Sequence, residues 1–151
     1  MKNTFSSQQS KSSIIVDTGF WVAIGCKQDS CHALAVQVAE RLEFDPVTTW
    51  PVITEAHYLL QKRQGVEVAE NFLASIERSG VEIFALQVAH LSRIRRLVIK
   101  YADLPMDLAD ASLVILAETL GHGRILSTDQ RDFHAYRWKQ RHPFENMLLT
   151  E

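Results

Sequence analysis

Asp17, Glu55, Asp110 and Asp129 are the residues of this chain best placed to do chemistry. Asp17 closes the apolar run Ile14-Ile15-Val16, and Asp129 comes directly after Leu126-Ser127-Thr128. Both acids therefore stand just past expected strands. In open parallel sheets, ligands bind beyond the carboxyl ends of the strands, which directs the two side chains to one crevice. Asp110 heads an apolar stripe, with Leu113, Val114 and Ala117 following at helical spacing. Glu55 repeats the pattern, three residues after Val52 and four before Leu59. A carboxylate on such a stripe is partly desolvated, which is unfavourable unless a charge or hydrogen bond compensates. Several carboxylates in one crevice repel one another, and some take up protons unless a cation intervenes. An oxygen-only donor set suits Mg2+ or Mn2+ rather than zinc. Such ions also bind substrate phosphates, which is the arrangement needed to hydrolyse a phosphodiester.

Each acid also has a purely structural reading. Asp107 is suited to cap the helix that follows Pro105. Asp110 would sit favourably at that helix's positive end, and Glu55 could be a solvated helix residue. Asp129 and Asp132 fall where turns and caps favour aspartate. Asp17 is the hardest to explain this way, because aspartate is unusual at the end of a wholly apolar strand. Cys26, Cys31 and His32 are close in sequence, but no fourth zinc ligand lies nearby, so packing is the better account of them. With two cysteines the fold does not rest on a disulfide framework, and a reducing cytoplasm is the expected location.

The elements that must position these acids are legible from periodicity. Ile14 to Val16 is short and β-branched, as a strand buried on both faces should be. A helix follows over Thr18 to Gly25, and Ser30 is placed to cap another carrying Ala33, Val36, Ala39 and Leu42. Val47 to Thr49 reads as a second strand, and Pro51 marks the start of the helix that bears Glu55 and ends near Gly65. Further helices are expected over Val66 to Arg78, Val88 to Tyr101 and Asp107 to Leu120. Val81 to Leu86 and Arg124 to Ser127 supply two more strands, with Ile125 and Leu126 the buried pair of the second. Phe144 to Leu149 could add one more. This alternation predicts an α/β fold, a layered domain with a mainly parallel central sheet. Residues 1–13, polar and serine-rich, are expected to form a disordered tail, and 14–151 a single domain.

A hydrophobic fraction of 46% supports a proper core, and no apolar run is long enough to cross a bilayer. The net charge of −2 argues against a large basic face as the main grip on nucleic acid. Two local basic runs remain candidates for phosphate contact. One comprises Arg93, Arg95, Arg96 and Lys100. The other comprises Arg137, Lys139, Arg141 and His142, interleaved with Tyr136 and Trp138 as possible base-stacking aromatics. For each single residue, a solvated helix face or a structural aromatic is the favoured reading over RNA contact.

The pieces Ile14-Ile15-Val16-Asp17-Thr18, Thr54-Glu55, Asp110-Ala111, and Ser127-Thr128-Asp129 with Asp132-Phe133 behind it resemble the PIN-domain family, in particular VapC-type toxins. Their order and separations fit from Ile14 to Leu149. The resemblance implies a three-layer α/β/α sandwich in which Asp17, Glu55, Asp110 and Asp129 form the acidic site. It implies that Asp17, Asp110 and Asp129 anchor Mg2+ or Mn2+, with Glu55 orienting a ligand or water. Thr18 and Thr128 would be polar supports, Asp132 a further acid, and Asp107 a supporting partner. The implied activity is endoribonuclease cleavage of RNA, leaving a 5′-phosphate. A cognate antitoxin and a homodimer are the implied protein partners. A catalytically inactive PIN-like RNA-binding or scaffold module is the alternative, which loss of an acid would favour. A phosphatase with Asp17 as nucleophile would need a second aspartate two residues on, where Gly19 stands. A receiver-like signalling domain lacks a suitably placed lysine after a late strand.

Overall fold

The computed structural model describes residues 5–148. In chain order, α1 (Ser7–Ser12), β1 (Ser13–Val16), α2 (Thr18–Gly25) and α3 (His32–Glu40) lead into β2 (Asp45–Thr49). The pair α4 (Trp50–Gln64) and α5 (Val66–Ser79) follows, then β3 (Glu82–Phe84), α6 (Leu91–Lys100), α7 (Leu108–Leu120) and β4 (Arg124–Leu126). The chain closes with α8 (Gln130–Ala135), β5 (Arg137–Trp138), β6 (His142–Pro143) and β7 (Glu145–Asn146).

Five of these strands form one parallel sheet in the order β3-β2-β1-β4-β7. The period of two decides which face each side chain serves. Ile15, Val47 and Ile125 point to the layer containing Ile94, Leu97, Leu113 and Leu116 of α6 and α7. Ile14, Val16 and Leu126 point the other way, onto Phe20, Ala23 and Ala35 of α2 and α3. A third cluster joins Val22 to Ile53, Leu60, Phe72 and Ile76, so α4 and α5 pack against α2 beside the sheet. Helices on both faces give the three-layer sandwich expected from the sequence. Fully burying one of these aliphatic side chains stabilises the fold by about 1.5–3 kcal/mol. Among the described residues, no helix is long and apolar enough to cross a membrane.

The sheet order matters for function. From β1 the chain winds outward to β2 and β3 on one side, while β4 and β7 lie on the other. The switch point therefore falls between the carboxyl ends of β1 and β4, where such sheets bind ligands.

Several local expectations need correction. Residues 7–12 are helical rather than a disordered tail, because Ser6 and Gln9 form a reciprocal capping box. The Arg124 guanidinium also clasps the segment, donating to the carbonyls of Ser10, Lys11 and Ser13. In α3 the inward face carries Ala35 and Val38, followed by Leu42, whereas Ala33 and Ala39 are exposed. Cys31 rather than Ser30 occupies the cap position of α3, and its N–H donates to Asp29. The helix expected from Val88 begins with one 3-10 turn over Val88–His90 and becomes α-helical at Leu91. The final strand pairs only over Glu145–Asn146, and Leu149 lies outside the described residues. The antiparallel β5–β6 pair was not foreseen; its tight turn holds Lys139 and Gln140 at positive φ.

Candidate active site

The acids are placed by helix starts that share one edge of the sheet. Asp17 follows β1, and its own N–H bonds the Leu126 carbonyl at 3.1 Å, which fixes it beside β4. It is only 5% exposed. Its Oδ1 accepts from the Thr18 N–H at 2.7 Å and caps α2, while its Oδ2 accepts from the Ser127 hydroxyl at 2.8 Å. Glu55 lies on α4, which Thr49 caps and Pro51 opens. Its Oε2 accepts from the Thr18 hydroxyl at 2.9 Å, tying the second acid to the residue after the first.

Asp107 caps α7 by accepting from the Asp110 N–H at 2.8 Å, so the structural reading of this residue holds. The cap also sets the first turn, from which Asp110 reaches the crevice. Asp110 Oδ2 accepts from the Tyr136 hydroxyl at 3.1 Å. Asp129 caps α8 through the Asp132 N–H at 3.0 Å, and its own N–H donates to Ser127 Oγ at 2.9 Å. Capping and membership of the crevice are thus one arrangement, because each helix begins where its strand or loop delivers it to the same edge.

Close packing holds the crevice floor together. A Cβ added at Gly19 would stand 2.0 Å from Thr128 Oγ1, so the first turn of α2 approaches the β4–α8 loop as only glycine allows. Asn146 braces that loop from behind, donating to the Ser127 carbonyl at 2.8 Å and accepting from the Ser127 N–H at 3.2 Å.

Burial makes these carboxylates reluctant to ionise. Desolvation is the largest cause of the rise of Asp17 from 3.8 to about 7; the charges of Glu55 and Asp129 add to it, and the Ser127 and Thr18 hydrogen bonds oppose it. Asp110 is raised to about 8, first by burial and then by the charges of Asp107 and Asp17, against the Tyr136 hydroxyl. Glu55 is also shifted upward, by burial and by Asp107. Asp132 moves the same way, through burial and then its neighbour Asp129. Tyr136 is pushed well above its ordinary value by burial and then by Asp110, so it stays a neutral hydroxyl donor.

All eight acids and threonines expected at the site line a single crevice of about 390 Å³: Asp17, Thr18, Glu55, Asp107, Asp110, Thr128, Asp129 and Asp132. Asp29 and Arg63 join them, with Leu104 and Pro105 on the rim. The donors are carboxylate and hydroxyl oxygens, with neither histidine nor cysteine lining the crevice. Among the described residues no three of these acids stand close enough to enclose one ion. A divalent ion here would be held by one or two carboxylates at a time and would keep waters, which is how Mg2+ binds. The oxygen chemistry of the donor set fits Mg2+ or Mn2+.

None of the eight basic residues in the two runs expected to contact RNA, Arg93 and Arg96 or Arg137 and Lys139 among them, lines the crevice. Arg93 forms a bidentate ion pair with Glu118, at 3.1 and 3.0 Å. Arg137 directs its guanidinium at the carbonyls of His134, Ala135 and Tyr136. Lys139 donates its backbone N–H to Glu118 and lies over the Trp138 ring. Arg96 is exposed on α6. Tyr136 is fully buried and Trp138 stacks on His142, so neither presents a free face to a base.

Sequence reasoning missed the supporting roles of Ser127 and Tyr136, as well as Arg63. Ser127 stood within a quoted motif, and its small hydroxyl between a strand and an acid was the signal. Tyr136 lies 26 residues from Asp110, and nothing in its spacing announced the contact.

Comparisons agree with the geometry. The sequence model of the PIN domain matches residues 14–139. Ribonuclease VapC26 of Mycobacterium tuberculosis (strain ATCC 25618 / H37Rv) is 28% identical over 124 residues, spanning 82% of this chain and 92% of that protein. The crystal structure of Mycobacterium tuberculosis VapC20, described as a toxin that cleaves the sarcin–ricin loop, superposes with a TM-score of 0.73. That match has 21% identity and covers 79% of this chain and 92% of the other, a likeness of fold.

Proposed function

The chain belongs to the PIN-domain family, and from that membership we propose that it is a divalent-metal-dependent endoribonuclease, the toxin of a type II toxin–antitoxin pair. The observation that carries the reading is the convergence of Asp17, Glu55, Asp110 and Asp129 on one crevice at the β1–β4 switch point. A ribonuclease relative of 28% identity supports the choice of RNA as substrate.

Asp17, Asp110 and Asp129 are the candidates to hold the ion, one or two of them directly and the rest through its waters. When bound, Mg2+ or Mn2+ supplies positive charge that offsets these carboxylates and the charge developing on the phosphoryl group. The remaining work falls to the side chains. The Ser127 and Thr18 donors keep the Asp17 carboxylate oriented, and Tyr136 does the same for Asp110. Glu55, less buried than Asp17 and steered by Thr18, accepts a proton from the attacking water. The water oxygen bonds to phosphorus, the bond from phosphorus to the 3′ oxygen breaks, and that oxygen takes a proton from solvent. The products carry a 5′-phosphate and a 3′-hydroxyl.

The same chemistry suggests how a partner would silence the enzyme. An antitoxin that inserts an arginine or lysine among the carboxylates would replace the ion's charge. Failure of the chain to co-purify with the product of a neighbouring gene would count against a toxin role. Homodimerisation is part of the proposal. Trp50, Tyr58 and Leu108, each more than half exposed, line one apolar groove, which fits a protein contact. A monomer by light scattering at micromolar concentration would remove it.

The enzymatic reading is tested by incubating cellular RNA with the purified chain and Mg2+, then sequencing the new 5′-phosphate ends. Discrete ends absent from the Asp110→Asn reaction are expected. Folded protein that generates none would move the assignment to an RNA-binding or scaffold module.

A further inference from the structure

The crevice is lined by seven carboxylates: Asp17, Asp29, Glu55, Asp107, Asp110, Asp129 and Asp132. Among the described residues Arg63 is the only lysine or arginine that lines it. Glu55, Leu59 and Arg63 follow one another at four-residue intervals on α4, and all three face the crevice. At 1.5 Å per residue, Arg63 is rooted about 12 Å along the helix from Glu55. That separation, with its exposure, sets Arg63 apart from Glu55 at the solvent-facing edge of the crevice lining.

Arg63 is exposed and, among the described residues, makes no hydrogen bond or ion pair. Three other arginines are committed, Arg93 to Glu118, and Arg124 and Arg137 to main-chain carbonyls, and those that are not, Arg95 and Arg96 among them, do not line the crevice. A polyanionic strand entering an acidic crevice needs a cation that does not compete with the ion among the acids. A planar guanidinium at the rim meets that need, because it pairs with two phosphate oxygens at once.

Building on the ribonuclease reading, we propose that Arg63 is the phosphate clamp of the RNA strand. It grips the non-bridging oxygens of a phosphate adjacent to the scissile one and sets the register of the strand across the carboxylates. The competing role is a solvated cation in the last turn of α4, where Lys62 and Arg63 complement the helix dipole. That role would leave RNA binding unchanged.

The test measures the binding of a fluorescein-labelled, mixed-sequence single-stranded RNA by anisotropy, in Mg2+ and over a range of KCl. Asp17→Asn protein serves as the non-cutting parent, compared with the same protein carrying Arg63→Ala or Arg63→Lys. Arg63→Ala is expected to weaken binding about tenfold at low salt and to reduce the slope of log affinity against log salt by about 0.7, one phosphate contact on a single strand. Arg63→Lys should restore the slope but only part of the affinity, because a point charge replaces the fork. In otherwise wild-type enzyme, Arg63→Ala should raise KM about tenfold and leave kcat within about threefold, as loss of uniform binding does. An unchanged salt slope and affinity in Arg63→Ala, with the parent binding RNA, would overturn the clamp alone. A parent that binds no RNA would overturn the clamp and the ribonuclease reading together.

Discussion

Replacing Asp17 by asparagine should make the metal-free protein more stable at pH 8, although it removes a residue of the proposed active site. In the folded chain the Asp17 carboxyl titrates near 7, against an ordinary value of 3.8. Between those values the folded state holds a proton that the unfolded state has lost, so stability falls as pH rises through the window. The full penalty at pH 8 is about 1.4 kcal/mol per unit over some three units, or about 4 kcal/mol as an upper bound. The substituted carboxamide carries no ionisation penalty and keeps an oxygen for the Thr18 N–H. Its amide group can donate to the Ser127 hydroxyl, which can turn to accept. Relaxation around the buried charge will take up part of the difference, leaving about 2 kcal/mol, or some 4–8 °C in Tm for a chain of this size. Removing the Asp17 charge also relieves Asp110, which adds in the same direction.

The assay is thermal unfolding followed by circular dichroism in EDTA, from pH 4 to pH 8. The mutant and wild type should melt together near pH 4 and separate as pH rises, with the gap levelling above pH 7. Saturating Mg2+ should raise the wild-type Tm more than that of the mutant, since an ion at 100 times its Kd adds about 2.7 kcal/mol to the state that binds it. A mutant that melts below wild type at pH 8 in EDTA, or a gap that does not change with pH, would refute the electrostatic reasoning.

Other substitutions test separate parts of the site and fold. Ser127→Ala removes a hydroxyl that holds both Asp17 and the Asp129 N–H; metal affinity should fall about 10–100-fold by calorimetric titration, as for partners of metal-binding groups. Tyr136→Phe deletes the donor to Asp110, so Asp110 should titrate higher still, and metal binding should need a more alkaline pH. Gly19→Ala drives a methyl into Thr128 Oγ1; a Tm loss equivalent to about 1–3 kcal/mol is expected, together with reduced cleavage, as overpacking predicts. Arg124→Ala releases the carbonyls of Ser10, Lys11 and Ser13, and hydrogen exchange should accelerate in residues 7–12 while the Leu113 to Leu116 amides remain protected.

The fold was legible because its strongest signals are local. The β-branched run before Asp17, Pro51 at the head of α4 and Gly121 after α7 each mark a boundary through backbone constraint alone. The four acids were legible for a related reason, since each lies at a strand end or near a helix start, and such positions follow from periodicity. Long-range support was not legible. Tyr136 stood in a basic run as a possible base-stacking or structural aromatic, and only the meeting of the end of α8 with the start of α7 brings its hydroxyl to Asp110. Within the basic runs, sequence shows charge without its partner: Glu118 is 25 residues from Arg93, and the carbonyls that hold Arg137 carry no sequence mark. Arg63 was overlooked because one arginine on a polar helix face resembles any other until the crevice beside it is seen.

That these carboxylates hold a divalent ion with which the chain cuts RNA is tested most directly by cleavage itself. RNA is incubated with wild type and with Asp17→Asn across a Mn2+ titration, each reaction repeated in excess EDTA. Discrete cuts should rise to a plateau with Mn2+, vanish in EDTA, and fall at least about 100-fold in a mutant whose Tm equals or exceeds that of wild type. Cleavage that persists in EDTA, or that proceeds at the wild-type rate in Asp17→Asn, would contradict the proposed chemistry.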